Sequence, residues 1–195
     1  MQKILFIVGP TAIGKTAFAL KIAEEFNGDI ISADSRQVYI GMDIGTGKDI
    51  PHKFKVQSSK FKVENKNIPY YFDGKTKIWG LDLVAPNEEF SVADFARFAV
   101  PVINQIWADG KLPIVVGGTG LYIRALTQDL PDIFIPQNIK LRQKLHKLTT
   151  DQLQTELKQL SNTKFSSMNQ SDQKNPRRLV RAIEIEMWKK THSDP

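Results

Sequence analysis

Residues 9–16 read Gly9-Pro10-Thr11-Ala12-Ile13-Gly14-Lys15-Thr16, which matches the pattern G-x-x-x-x-G-K-[ST]. This octapeptide follows a short apolar run, Gln2 to Val8, and a helical pattern begins at Lys15. A phosphate-binding loop needs that order, because its glycines let backbone N–H groups converge on phosphate oxygens at a helix N-terminus. Lys15 adds a positive charge, and the hydroxyl of Thr16 can ligate Mg²⁺. The sequence therefore predicts a P-loop that binds a di- or triphosphate.

Two more apolar strands are predicted further along the chain, at 29–33 and 113–116. Their alternation with helical patterns indicates an α/β fold, a P-loop NTPase-like parallel sheet flanked by helices. Asp34 follows the second strand, at the carboxyl end where ligands of such sheets gather. It is a candidate base that takes a proton from an attacking amine. The alternative is that its side chain caps the turn that follows.

The carboxylate that usually holds the metal in a nucleotide-hydrolysing P-loop site is not evident after the third strand, which ends in Gly117-Gly118-Thr119. Asp82, after 78–81, reads as a loop or strand-end carboxylate. We therefore interpret the P-loop as a site for a pyrophosphate leaving group. Residues 117–120 either bring their backbone close to a ligand or form a plain turn into a helix.

The patterning divides the chain into a core and two additions. We predict a P-loop core over 1–130 and 178–195, with a hairpin-like excursion at about 60–84 that turns at Asp73-Gly74. Leucines at helical spacing predict a small helical insertion over 131–177.

Composition limits the class of protein. The chain has no cysteine, which excludes disulfides and thiolate metal sites, and its first apolar run, Ile4–Val8, is too short to span a membrane. We expect a cytoplasmic, monomeric protein without a membrane partner. Residues 136–195 hold 12 basic and 6 acidic residues, whereas the first 135 are balanced, so the net charge of +6 is C-terminal. That charge fits a polyanionic partner or a solvated helical face.

Four blocks of sequence together resemble one known family, the tRNA dimethylallyltransferases, and they occur in that family's order. The blocks are Gly9–Thr16, Ser32–Tyr39 with Gly41–Thr46, Val116–Tyr122 and Arg177–Glu184. The resemblance implies dimethylallyl diphosphate and tRNA as substrates and Mg²⁺ as cofactor.

The resemblance also assigns roles to individual residues. It implies that Thr11 to Thr16 hold the diphosphate, with Lys15 and Thr16 acting on it during catalysis, and that Asp34 is the base on the exocyclic amine of an adenine next to the anticodon. The positions that it assigns to tRNA contact are Asp34, Ser35, Arg36, Gln37, Thr119, Arg142, Arg177, Arg178 and Arg181.

The chain departs from the family pattern in two places. Pro51-His52 is followed by Lys53, whereas the family usually has Pro-His-His-Leu-Ile-Asp, and the related residues 78–82 come later. The family also continues beyond the arginine-rich helix, whereas this chain ends at Pro195. The alternatives are an enzyme that prenylates AMP, ADP or ATP, a P-loop kinase that uses ATP, and a tRNA-binding protein without catalysis.

Overall fold

A computed structural model of the chain describes residues 2–48 and 50–192. The chain divides between Leu130 and Pro131 into two compact units. Within the described residues, no helix is both long and apolar enough to cross a membrane.

The first unit is a six-stranded sheet with helices on both faces. Its elements are β1 Leu5–Val8, α1 Lys15–Glu25, β2 Gly28–Ser32, β3 Lys55–Val63, β4 Lys66–Phe72, β5 Lys77–Trp79, α2 Val92–Ala108, β6 Leu112–Gly117 and α3 Gly120–Thr127. The strand order is β1-β6-β2-β5-β4-β3. The first four strands in this order are parallel, and β4 and β3 extend the sheet antiparallel. The predicted parallel α/β sheet flanked by helices is confirmed.

The helices cover opposite faces of the sheet. Ala19 and Ala23 of α1 pack with Ile30 and Ile78 on one face. On the other face α2 packs with Ile31 and Trp79 through a row of apolar residues. That row is Phe95, Phe98, Val102 and Ile106. Ser91 and Asp94 form a capping box at the start of α2, which satisfies its first N–H groups.

The predicted excursion at 60–84 has different bounds in the structure. The hairpin of β3 and β4 begins at Lys55 and turns at Glu64-Asn65, both of which have positive φ. Asp73-Gly74 is a turn as predicted, and it joins the antiparallel strands β4 and β5. Strand β5 belongs to the main sheet, because it pairs parallel with β2 and its residues Ile78 and Trp79 are buried between the helices. The sequence was ambiguous here because β5 is only three residues long.

The second unit is helical. Its elements are a 3₁₀ helix Pro131–Phe134, α4 Ile139–Leu145, α5 Thr150–Leu160, α6 Asn162–Ser167, α7 Gln170–Gln173 and α8 Pro176–His192. Helix α8 buries Leu179 and Ile183 in one cluster with Leu153 and Leu157 of α5. The structure therefore groups α8 with 131–195, whereas the sequence-based division put 178–195 with the P-loop core. The physical reason is that the apolar face of α8 complements the leucines of α5; residues 193–195 lie outside the described residues.

Candidate active site

The P-loop joins β1 to α1, as its motif predicted. Ala12 and Gly14 have left-handed backbone conformations, with φ of 66° and 79°, a geometry found in loops whose amides converge on an anion. Gly14 is the N-cap of α1 and provides no side-chain cap, so the first N–H groups of the helix are available to a phosphate. The Lys15 ammonium donates to the Pro10 carbonyl. The Thr16 hydroxyl has no hydrogen-bond partner among the described residues and suits a Mg²⁺ ion shared with a diphosphate.

Two cavities open beside this loop. The larger, about 520 Å³, is lined by Thr11, Ala12, Gly14, Lys15, Thr16, Ala17, Leu20, Ile30, Ser32, Asp34, Gln37, Gly47, Lys48, Ile50, Pro51, His52, Ile78, Leu81, Val116 and Gly117. The smaller, about 290 Å³, is lined by Gly9, Pro10, Thr11, Asp34, Ser35, Arg36, Gly45, Thr46, Gly118 and Thr119. Thr11 and Asp34 line both cavities. Of the predicted diphosphate-binding residues, Ile13 lines neither and is 61% exposed.

Asp34 is half-buried at the carboxyl end of β2. Its Oδ1 accepts a hydrogen bond from the Arg36 N–H at 2.9 Å. One of its two oxygens therefore caps the turn, which was the alternative role for this residue. Its Oδ2 has no partner among the described residues. The Ser35 N–H donates to the Thr119 hydroxyl at 3.0 Å, and the Thr119 N–H donates to the Ala33 carbonyl. The structure thus brings Asp34, Ser35 and Arg36 together with Thr119, and their contact with tRNA stays a prediction.

Gln37 is held at both ends of its side chain. Its Oε1 accepts from the Ser32 hydroxyl at 2.8 Å, and its Nε2 donates to the carbonyls of Thr46 and Gly47. Gln37 therefore fixes the loop at 41–48 against the end of β2. Its contact with tRNA stays a prediction.

Lys48 is a buried member of the site that the sequence did not indicate. Its side chain is 1% exposed, and its ammonium lies 2.6 Å from Asp82 Oδ1 and 2.8 Å from Asp43 Oδ1. Burial alone would lower the pKa of Lys48, but the hydrogen bonds to Asp43 and Asp82 outweigh it and raise that pKa. The Tyr71 hydroxyl donates to Asp82 Oδ2 at 2.6 Å, and burial together with this carboxylate raises the pKa of Tyr71.

This network also accounts for Asp82. Asp82 follows the carboxyl end of β5, and both of its carboxylate oxygens accept hydrogen bonds from side chains, one from Lys48 and one from Tyr71. It is therefore a strand-end carboxylate, as the sequence indicated. Within residues 2–48 and 50–192, no group of three or more His, Asp or Glu side chains could hold a metal.

Gly117 has a packing role that the sequence analysis did not foresee. A Cβ atom at this position would lie 2.2 Å from the Ala33 carbonyl oxygen. Glycine is therefore required where β6 passes the end of β2, independently of any ligand. Gly117 and Gly118 nevertheless line the larger and the smaller cavity, so the ligand alternative stays open.

The arginines of the second unit fall into two kinds. Arg142 binds Glu184 through two nitrogens at 3.0 and 2.8 Å, and Arg181 binds the same carboxylate at 2.6 Å. Glu184 is 1% exposed, so these two arginines hold the helical unit together. Arg177 and Arg178 are exposed. Arg178 also lies near a carboxylate, with 3.8 Å between its Nε and Asp172 Oδ1. Contact with tRNA stays a prediction for all four arginines.

Comparison with known proteins adds two family matches. The family model described as IPP transferase matches residues 37–194. The model described as Isopentenyl transferase matches residues 2–68. A curated tRNA dimethylallyltransferase 1 from Azobacteroides pseudotrichonymphae is 39% identical over 94% of this chain and 54% of its own length. One from Anoxybacillus flavithermus is 39% identical over 94% and 52%. The chain thus spans about half the length of these relatives.

Solved structures agree on the fold. The tRNA isopentenylpyrophosphate transferase of Bacillus halodurans is 34% identical, with a TM-score of 0.53 over 100% of this chain and 57% of that one. A eukaryotic dimethylallyltransferase acting on tRNA is 24% identical, with a TM-score of 0.69 over 95% and 41%. These matches confirm the P-loop NTPase-like fold predicted from the motif and the strand order.

Proposed function

Because the chain belongs to the IPP transferase family, we propose that it transfers a dimethylallyl group from dimethylallyl diphosphate to the exocyclic amine of an adenine in tRNA. The single observation that carries this is the place of Asp34. It lines both cavities beside the phosphate-binding loop, with one oxygen tethered to the Arg36 N–H and the other without a partner among the described residues.

The proposed reaction uses these groups in one displacement. The amine nitrogen attacks C1 of the dimethylallyl group, the C1–O bond breaks, and the diphosphate leaves with the electron pair. Asp34 Oδ2 accepts the proton that the amine loses. Lys15 and the first N–H groups of α1 stabilise the negative charge that develops on the diphosphate. The Thr16 hydroxyl would hold a Mg²⁺ ion, which would supply further neutralisation of that charge.

The two cavities suit the two substrates. Beyond the P-loop, the larger cavity is lined by apolar side chains, among them Leu20, Ile30 and Val116. Apolar walls of this kind favour a five-carbon prenyl chain and exclude water from the reacting carbon. The smaller cavity has polar walls that include Ser35 and Thr119. An adenine extruded from its stack could be bound there through hydrogen bonds.

Transfer of label from radioactive dimethylallyl diphosphate tests the proposal. The full chain is incubated with Mg²⁺ and either unmodified tRNA, AMP or no acceptor. We expect label in tRNA alone. Label in AMP would favour the adenylate-prenylating alternative, and phosphate transfer from ATP to an acceptor would favour a kinase. tRNA binding without label transfer would leave the non-catalytic alternative. Sedimentation of the same sample tests the predicted monomer.

A further inference from the structure

The hairpin of β3 and β4 carries a concentration of positive charge. Residues 55–72 contain four lysines and one acidic residue, Glu64. The carboxylate of Glu64 already faces Arg97, with 3.7 Å between Oε1 and Nε. All four lysines are exposed, and none has an ion-pair partner among the described residues. They are Lys55, Lys60, Lys62 and Lys66. The near-neutral sum of the first 135 residues therefore conceals a local basic surface.

Strand register places the turn of this hairpin at the edge of the sheet that carries the site. Strand β4 runs antiparallel to β5, with Tyr70 opposite Trp79. Lys66 lies four positions before Tyr70, so at about 3.4 Å per residue the turn extends roughly 14 Å past Trp79. It extends toward the carboxyl ends of the parallel strands. The same edge carries the P-loop after β1 and Asp34 after β2.

Alternation along β3 sets the direction of Lys62. Phe61 and Val63, on either side of it, pack into the cluster that includes Trp79 and α2. Lys62 therefore points to the opposite face, the face on which α1 packs. Lys60 is exposed in the irregular segment between Ser58 and Lys62, where the pairing of β3 with β4 shifts register. Three ammonium groups without an ion-pair partner among the described residues thus lie toward the turn end of the hairpin, with Lys66 at the turn itself.

We propose that Lys60, Lys62 and Lys66 bind backbone phosphates of the tRNA whose adenine enters the site; the inference rests on the proposed function. Lysine is a point charge that binds phosphates without reading sequence, so this surface would orient the RNA rather than select its bases. The charge complementarity is direct, because nothing else in the described chain neutralises these side chains. The competing role is protection of the edge strand β3, where lysines discourage pairing with another chain.

Salt-dependent binding of unmodified tRNA by the full chain distinguishes the two roles. If Lys60 and Lys62 each bind a phosphate, Lys60→Gln/Lys62→Gln should reduce the slope of log K against log salt by roughly 1.4–1.8. Lys66→Gln alone should reduce it by roughly 0.7–0.9. The matched control is Lys3→Gln/Lys21→Gln, which removes two exposed lysines from the same unit, one of them before the amino end of β1. We expect the control to keep the wild-type slope.

Each result has one meaning. Slopes that stay at the wild-type value in both hairpin variants, whether or not the proteins associate, would overturn the proposal and leave edge protection. Equal slope changes in the control and the hairpin pair would also overturn it, because the effect would then be general charge. Label transfer to tRNA by the wild type shows whether the proposed function itself holds. A wild type that neither binds nor prenylates tRNA overturns both proposals.

Discussion

Replacing Glu184 by alanine should destabilise the helical unit. The carboxylate is buried and accepts four hydrogen bonds, one from the Asn138 N–H, two from Arg142 and one from Arg181. Without this carboxylate, the guanidinium groups of Arg142 and Arg181 lose their counter-charge while they remain partly buried. Arg181 also donates to the carbonyls of Asp132 and Ile135, which keeps it from moving freely into water.

The expected loss follows from the exposure of the two arginines. Removing one partner of a buried ion pair costs about 3–5 kcal/mol. The side chains of Arg142 and Arg181 are 29% and 28% exposed, so water can partly solvate them after the change. We therefore expect the lower end of that range, about 3 kcal/mol.

Urea unfolding followed by far-ultraviolet circular dichroism measures this loss. The control is Glu186→Ala, two residues further along α8, where the side chain forms no ion pair with another described residue. Its cost should stay within about 0.5 kcal/mol, as for ordinary surface changes. A Glu184→Ala variant as stable as the control would refute the structural role of the carboxylate. Arg142 and Arg181 would then be available to bind RNA.

The same carboxylate predicts a dependence on pH. Burial alone raises the pKa of Glu184, but the hydrogen bonds from Arg142, Asn138 and Arg181 outweigh it and hold the pKa below its ordinary value of 4.5. The unfolded chain then takes up its proton at higher pH than the folded chain does. The stabilisation is therefore complete above about pH 4.5 and is lost as the pH falls toward the folded-state pKa. The difference in unfolding free energy between wild type and Glu184→Gln should shrink over that window.

Three further predictions concern the site and the RNA. Lys15→Ala should weaken binding of dimethylallyl diphosphate by about tenfold or more in calorimetry, since losing a hydrogen bond to a charged group costs about 1.5–3 kcal/mol, while the circular dichroism spectrum stays unchanged. Asp34→Asn keeps an oxygen for the Arg36 N–H but removes the base, so single-turnover label transfer should slow by about 10²–10⁴-fold. The affinity for the diphosphate should not change. A rate loss below about threefold would mean that Asp34 only caps the turn. Arg177→Ala should lower the salt slope of tRNA binding by roughly one unit; an unchanged slope would make that helix face a solvated surface.

The P-loop could be predicted because its chemistry fixes its spacing. The motif works only when a strand precedes its glycines and a helix begins at its lysine. The sequence of residues 9–16 therefore predicted the local structure of the loop and also the α/β fold around it. Features of this kind depend on short sequence separations, and the structure has them where the sequence placed them.

The network around Lys48 could not be predicted for the opposite reason. Lys48 and Asp82 are 34 residues apart, and nothing in a loop sequence distinguishes a buried lysine from a solvated one. The same holds for Arg142 and Glu184, which are 42 residues apart. The pairing of Arg181 with Glu184 could be predicted, because those residues lie three apart on one helix. Long-range ion pairs appear only once the topology is known.

The position of Asp82 bears on what the P-loop is used for. In a nucleotide-hydrolysing P-loop site, a carboxylate at a neighbouring strand end holds the metal. Here the strand-end carboxylate after β5 binds Lys48 and Tyr71, and through Lys48 it secures the loop that walls both cavities. A charge that elsewhere holds a metal is thus used to fix the loop that the two cavities share. Lys48→Met tests this role: it would leave Asp43 and Asp82 without their cation, and should weaken binding of dimethylallyl diphosphate as well as lower kcat/KM for tRNA, because Gly47 and Lys48 line the larger cavity and Gly45 and Thr46 the smaller. Unchanged values for both substrates would mean that the network does not hold this loop in its working position.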